Sequence, residues 1–165
     1  MAKKNISEPA LIADQLRRAF DGGAWHGPSV LELLSDVDAA TAAARPVPNA
    51  HSIWELLLHV SAWDRAALVR LTGTKCQPTG ADNFPPVPKP TDAAWRKAIA
   101  DTKRTHEQLV KVVAGLPDSR LRDRVPGKRY DFGHMLHGIA QHELYHAGQI
   151  AILKKAASRS RNDRS

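Results

Sequence analysis

The stretch SIWELLLHVSAWDRAALVRL at residues 52–71 decides the fold class of this chain. Ser52 is a favourable helix N-cap, and Glu55 three residues later completes a capping box, in which each side chain accepts a hydrogen bond from the other residue's backbone N–H. The apolar residues that follow keep helical spacing to about Leu71, and Gly73 ends the pattern. The segment is therefore predicted to be one long helix.

Three further segments carry the same signals of helices with an apolar stripe. Prolines and glycines separate them, because proline blocks helix continuation and glycine favours helix ends. The chain has neither an internal repeat nor a convincing alternating strand pattern. We predict long helices from Glu8 to Gly22, over 52–71, over about 92–116 and over about 132–157, short helical turns after Ser29 and over 39–44, and an irregular connection with five prolines over 73–91.

Four long helices with apolar stripes predict an all-α fold, a four-helix bundle. We assign residues 1–157 to this single domain. Residues 158–165, SRSRNDRS, are basic and poor in apolar side chains, so we predict a flexible tail.

The composition excludes several classes of protein. Of the 165 residues 42% are hydrophobic and 25% are charged, which is typical of a globular domain. Cys76 is the single cysteine, so a disulfide scaffold and a multi-cysteine zinc site are excluded. No run approaches the roughly 20 apolar residues of a membrane span, and the start lacks the apolar core of a signal peptide. We expect a cytoplasmic protein that does not bind membranes.

The formal net charge of +7 suggests nucleic acid only until the charges are located. Residues 154–165 carry a net +4, and Lys3 and Lys4 add +2. Residues 8–153 hold 17 basic and 16 acidic side chains. Because the body of the chain is nearly neutral, we do not expect nucleic acid as a partner.

The segment His142-Glu143-Leu144-Tyr145-His146 is the most informative for chemistry. Histidines four residues apart share one face of a helix and can bind one metal ion. The zinc-protease interpretation is disfavoured, because Gln149 and Ile152 occupy the positions of the glycine and third histidine of metzincins, and no glutamate follows Glu143. Glu143 lies about 100° from His142 around the helix, so a solvated position or one behind the metal ligands is predicted.

His59 is the best upstream partner for this pair. It lies among leucines in the helix over 52–71, where a buried imidazole needs a polar partner. Three nitrogen ligands would leave an open position, which is typical of a reactive metal and suits Zn, Ni, Cu or Fe. The alternatives are that His59 is a hydrogen-bonded histidine of the core, and that His142 and His146 are surface residues whose spacing arises by chance.

Several other side chains are candidates for the surroundings of this site. His106 falls on the core stripe of its helix and is predicted either to donate a hydrogen bond to a metal ligand or to be a fourth ligand, with a packed core histidine as the alternative. The predicted substrate pocket comprises Trp25, Trp63, Tyr145 and Gln149. For the three aromatic residues, the alternative is ordinary packing in the core.

The stretches HSIWELLLHVSAW at residues 51–63 and HELYHAGQI at residues 142–150 resemble the DinB/YfiT-like superfamily of metalloenzymes. AWHGPS at residues 24–29 is similar to one branch of it, and the resemblance covers about 8–157. It implies an up-down-down-up four-helix bundle with one divalent ion, usually nickel or zinc, bound by His59, His142 and His146. A homodimer is also implied.

The activity that this resemblance implies is a thiol-dependent transfer or a hydrolysis. Some relatives resemble transferases or isomerases that use low-molecular-weight thiols, and others resemble hydrolases. We therefore expect a metal-dependent enzyme, an S-transferase or a hydrolase, acting on a small electrophilic molecule. With one cysteine in the chain, the thiol would come from outside it. The alternative is a non-catalytic, stress-related dimeric bundle that binds metal.

Overall fold

The computed structural model describes the backbone of residues 6–162 and the side chains of residues 6–159. Helices and loops make up this part of the chain, and it contains no strand beyond a single bridge between Arg124 and Asp131. The predicted all-α fold class is confirmed. The helices are α1 (Glu8–Phe20), α2 (Val30–Leu34), α3 (Ala39–Ala43), α4 (Ile53–Leu71), α5 (Asp92–Ala114) and α6 (Phe132–Asn162), with short 3₁₀ turns at Gly80–Asp82 and Asp118–Arg122.

The helices begin where the sequence supplies capping side chains. Ser52 and Glu55 form the predicted capping box at the start of α4, and Ser29 forms another with Glu32 at the start of α2. Ser7 and Thr91 cap α1 and α5 through their hydroxyl groups. These caps satisfy backbone N–H groups that the helices leave without partners.

The four long helices pack in a ring. The neighbours in order are α1, α5, α4 and α6, and α6 contacts α1 again. The short helix α2 packs on α6, and α3 packs on α4 and α5. This ring is the arrangement of a four-helix bundle, whereas the up-down-down-up order of the helices stays a prediction.

Two apolar clusters fill the interior of the bundle. One surrounds Trp54 and Trp95 and includes residues of α2 and α3 together with Ala147, Ile150 and Leu153 of α6. The other surrounds Leu109, Phe132 and Leu136, and it includes Ile12, Ala13 and Leu16 of α1. Along each of α4, α5 and α6, the residues between the two clusters include buried polar side chains.

The last helix extends further than the sequence predicts. The predicted end was Ala157, with a flexible tail over 158–165, but α6 reaches Asn162. No proline or glycine follows Gly148 to end the helix, and basic residues near a helix C-terminus interact favourably with its dipole. The rest of the predicted tail lies outside the described residues. No helix in residues 6–162 combines the length and the apolar composition of a membrane span.

Candidate metal centre

Three histidine side chains meet between α4 and α6. His59 lies in the first half of α4, and His142 and His146 lie one turn apart on α6. The Nε2 atom of His142 lies 3.0 Å from Nε2 of His59 and 3.0 Å from Nε2 of His146. His59 and His146 are buried, and His142 is partly buried. The structure thus brings together the three residues that the sequence singled out as ligands.

Hydrogen bonds on the far side of two rings fix which nitrogen carries the proton. His59 Nδ1–H donates to the backbone carbonyl of Asn83 at 2.8 Å. His146 Nδ1–H donates to Oε1 of Gln149 at 2.7 Å. Both Nε2 atoms therefore keep a lone pair that faces His142, whose own Nε2 can supply a proton to only one of them.

This arrangement fits a divalent metal ion. Nitrogens bound to one tetrahedral Zn²⁺ at 2.0–2.1 Å lie about 3.3–3.4 Å apart, close to the spacing here. Burial lowers the pKa of His59 and His146, and burial with the charges of the other two histidines lowers the pKa of His142 to about 3. The imidazoles are therefore neutral near pH 7, the form that binds metal.

The connection over residues 73–91 closes one side of the histidine group. Phe84 stacks between His51 and His59, with ring centroids 3.9 and 4.1 Å away. Asn83 Oδ1 accepts a hydrogen bond from Trp63 Nε1 at 2.9 Å, while its carbonyl holds His59. Asn83 and Phe84 therefore attach this proline-rich connection to the group of three histidines.

A cavity of about 450 Å³ opens beside the three histidines. Of the four side chains predicted for a substrate pocket, Trp63 and Tyr145 line it, and His134 lines it as well. The walls also include Arg70, Asn83, Tyr130, Met135, Gly138 and Ile139.

Two predicted pocket residues lie elsewhere. The Trp25 side chain is fully exposed and lines a separate, smaller cavity with His26 and His137. It follows the Gly22-Gly23 turn, and no residue of its loop lines the cavity beside the histidines. Gln149 holds His146 from behind and lines a neighbouring cavity of about 310 Å³ rather than the one beside the histidines.

A second polar group lies in the core, separate from the three histidines. Nδ1 of His106 lies 3.3 Å from Asp64 Oδ2 and 3.1 Å from Glu143 Oε1, and all three side chains are at most 1% exposed. His106 also stacks on Phe20. The polar contacts of His106 are with these carboxylates, so it is not a fourth ligand, and Glu143 is not solvated.

The charges of this buried group depend on each other. Burial alone would lower the pKa of His106, but hydrogen bonds and negative charge from Asp64 and Glu143 outweigh it and raise the pKa to about 10. Burial, with the charge of Asp64, raises the pKa of Glu143 to about 8, and burial also raises the pKa of Asp64. Near pH 7 a protonated His106 therefore lies beside the carboxyl groups of Asp64 and Glu143.

Sequence reasoning missed several residues of these two sites, including Asp64 and three others. Asp64 lies on the core stripe of α4, four residues after Val60, and this position was a signal that could have found it. Nothing local in the sequence pointed to the other three residues, because their contacts join segments that are distant along the chain. They are Arg70, Asn83 and Phe84.

Comparison with known proteins finds one matching family. Residues 14–150 match the sequence profile of a family described as the DinB superfamily. This range includes the group of His59, His142 and His146 and the buried group of Asp64, His106 and Glu143. No curated protein and no solved structure matches the chain.

Proposed function

The chain belongs to the DinB superfamily, and from that premise we propose that it is a metal-dependent enzyme acting on a small molecule. His59, His142 and His146 hold one divalent ion in this proposal. Nickel and zinc are the expected ions, because both bind imidazole nitrogen.

One observation carries the proposal. The Nε2 atoms of His59 and His146 each lie 3.0 Å from Nε2 of His142. Hydrogen bonds to Asn83 and Gln149 keep the lone pairs of His59 and His146 directed at that point. Without a cation, the group contains more facing lone pairs than protons to separate them. A divalent ion removes that repulsion, and the hydrogen bonds behind the rings are typical of metal-binding histidines.

The adjoining cavity supports catalysis over the non-catalytic alternative. A bundle that only stores or senses a metal needs no space beside it, whereas this cavity of about 450 Å³ is within the size range of small-molecule sites. A divalent ion bound here would supply Lewis acidity and lower the pKa of a bound water or thiol. Trp63, Met135 and Ile139 give the cavity apolar walls that limit the access of water.

We propose that the reaction is transfer of an external thiol to an electrophile. Cys76 lines another cavity, with Arg65 and Asp82, and is not among the residues beside the histidines. The chain's own thiol is therefore unsuited to the reaction, and a low-molecular-weight thiol would enter the cavity as a co-substrate. Hydrolysis by a metal-activated water is the second candidate, because it uses the same open position.

Metal analysis followed by a thiol panel tests the proposal. We expect about one divalent ion per chain in the native protein, and loss of that ion in His59→Ala and His142→Ala. His26→Ala, which changes an exposed histidine in another cavity, is the matched control. Protein that carries no metal and binds neither Ni²⁺ nor Zn²⁺ on titration would contradict a metal-dependent function.

The thiol panel separates the two reaction classes. The metal-loaded protein is incubated with a generic electrophile and each of several low-molecular-weight thiols, and thioether formation is followed by mass spectrometry. Turnover that needs both metal and thiol supports the transferase. Hydrolysis of ester substrates without any thiol would favour the hydrolase instead.

We also propose that the chain forms a homodimer through α6. Ile152 and Tyr145 are both 65% exposed and lie two turns apart on this helix, where large apolar side chains favour association. Light scattering tests this: the wild type is expected at twice the chain mass and Ile152→Glu at the mass of one chain. A monomeric wild type would contradict it.

A further inference from the structure

The wall of the cavity beside the histidines contains a buried arginine, Arg70. It lies in the last turn of α4 and is 1% exposed. Its guanidinium carbon lies 5.4 Å from the centre of the Trp63 ring, and its Nη1 lies 3.8 Å from Met135 Sδ. Since Trp63 and Met135 also line the cavity, the guanidinium is part of the same wall.

No carboxylate balances the charge of Arg70 among residues 6–159. None of the ion pairs there includes Arg70, and no acidic residue lines the cavity. The oxygen acceptors of the guanidinium are neutral, namely the Cys76 carbonyl at 2.8 Å and Gln77 Oε1 at 3.3 Å. A buried charge without an opposite charge is strongly destabilising, so a bound anion would be favoured here.

The guanidinium also has hydrogen-bonding capacity to spare. It carries five N–H groups, and the three contacts with Cys76, Gln77 and Met135 leave two of them unused. The Met135 thioether is a weak acceptor on a flexible side chain, so a better acceptor can replace it. A carboxylate is the acceptor whose geometry matches the planar guanidinium.

We propose that this cavity binds a small organic carboxylate whose negative group displaces Met135 Sδ and pairs with Arg70. The Trp63 ring has Arg70 on one side and the His142 ring 5.9 Å away, so it links the cationic end of the cavity to the histidine end. The ligand therefore has an apolar body between a carboxylate and its reacting group. That this ligand is the substrate rests on the proposed function, whereas its charge rests on Arg70.

The competing interpretation is that Arg70 only anchors the connection over residues 73–91, through Cys76 and Gln77. An anchoring arginine would stabilise the fold without discriminating between ligands. The test therefore compares a charged probe with a neutral probe of the same shape.

Benzoate and benzamide are titrated into metal-free protein by calorimetry, so that a metal ion cannot bind the carboxylate. We expect the wild type to bind benzoate roughly tenfold more tightly than benzamide, because a hydrogen bond between two charged groups is stronger than one to a neutral amide. Arg70→Gln is expected to abolish the preference. Arg65→Gln, an exposed arginine on the same helix, is expected to keep it.

Further variants and outcomes keep the test decisive. If Arg70→Gln does not fold, Arg70→Lys keeps the charge without the planar geometry and is expected to reduce the preference. Equal affinities in the wild type, no benzoate binding at millimolar concentration, or an unchanged preference in both Arg70 variants would overturn the proposal. A protein that prefers benzoate but binds no metal would refute the proposed function while leaving the anion site intact.

Discussion

Gln149 is expected to control metal affinity without touching the metal. Its Oε1 accepts the Nδ1–H of His146, which keeps the Nε2 lone pair of that ring directed at His142. Gln149→Leu removes this acceptor and frees the ring to rotate or change tautomer. We expect metal affinity to fall roughly 10–100-fold, measured by competition with a chromogenic chelator.

The control for this substitution is Gln141→Leu, which makes the same chemical change at an exposed position of α6. Its metal affinity is expected to match that of the wild type. Equal weakening in both variants would mean that the helix, rather than the hydrogen bond to His146, is responsible.

The buried group of Asp64, His106 and Glu143 predicts a loss of stability in alkaline solution. The pKa of His106 is about 10 in the folded chain and 6.5 for an ordinary histidine, so the folded state binds the extra proton between these values. The stabilisation is complete below pH 6.5 and disappears as the pH rises through about 10. Glu143, whose pKa is raised from 4.5 to about 8, acts in the same direction.

Urea unfolding at intervals from about pH 7 to about pH 10 measures this effect. We expect the free energy of unfolding to fall by an amount on the order of a few kcal/mol. His106→Gln, which cannot take up a proton, is expected to show a smaller fall. A flat profile in the wild type would contradict the protonated state assigned to His106.

At the scale of residues, chemistry was predictable wherever it was encoded in local spacing. His142 and His146 are four residues apart, and His59 lies among leucines, so both patterns were visible in the chain. Asn83 and Arg70 were not predictable, because their importance comes from contacts with the site that only the folded chain makes.

At the scale of elements, the capping box of α4 is expected to make a measurable contribution to stability. Ser52 Oγ accepts the Glu55 N–H at 3.2 Å, and Glu55 Oε2 accepts the Ser52 N–H at 2.7 Å. Ser52→Ala is expected to lower the free energy of unfolding by about 1 kcal/mol, measured by chemical denaturation. Ser52→Gly is expected to cost only a few tenths. Equal losses in the two variants would indicate packing of the buried serine rather than capping.

The helices were more predictable than the segments that join them. Capping residues and glycines mark the ends of α1, α2, α4 and α5 within the chain itself, so local sequence is sufficient. The connection over residues 73–91 has no such pattern, and its position depends on Asn83 and Phe84 contacting His59. The end of α6 was misplaced because polar composition alone does not end a helix.

At the scale of the whole molecule, polar groups divide the bundle interior. Asp64, His106 and Glu143 lie on α4, α5 and α6 at positions between the members of the two apolar clusters. Each of these three helices contributes to both clusters, so the polar group ties them together at mid-length. The excess positive charge, by contrast, comes largely from the ends of the chain. The charges that matter for the proposed chemistry are therefore those of buried side chains such as Arg70 and His106, and the net charge of +7 does not reveal them.

A bound divalent ion is expected to stabilise the whole bundle. Its proposed ligands are His59 on α4 and His142 and His146 on α6. His59 and His142 lie 83 residues apart in sequence, so unfolding would separate them. Because a ligand that binds only the folded state stabilises it by mass action, Zn²⁺ or Ni²⁺ at 100 times its dissociation constant should add about 2.7 kcal/mol. Thermal unfolding with and without metal measures this shift, and His59→Ala should abolish it while His26→Ala retains it. An equal shift in His59→Ala would place the stabilising ion elsewhere, because α4 would then no longer supply a ligand to it.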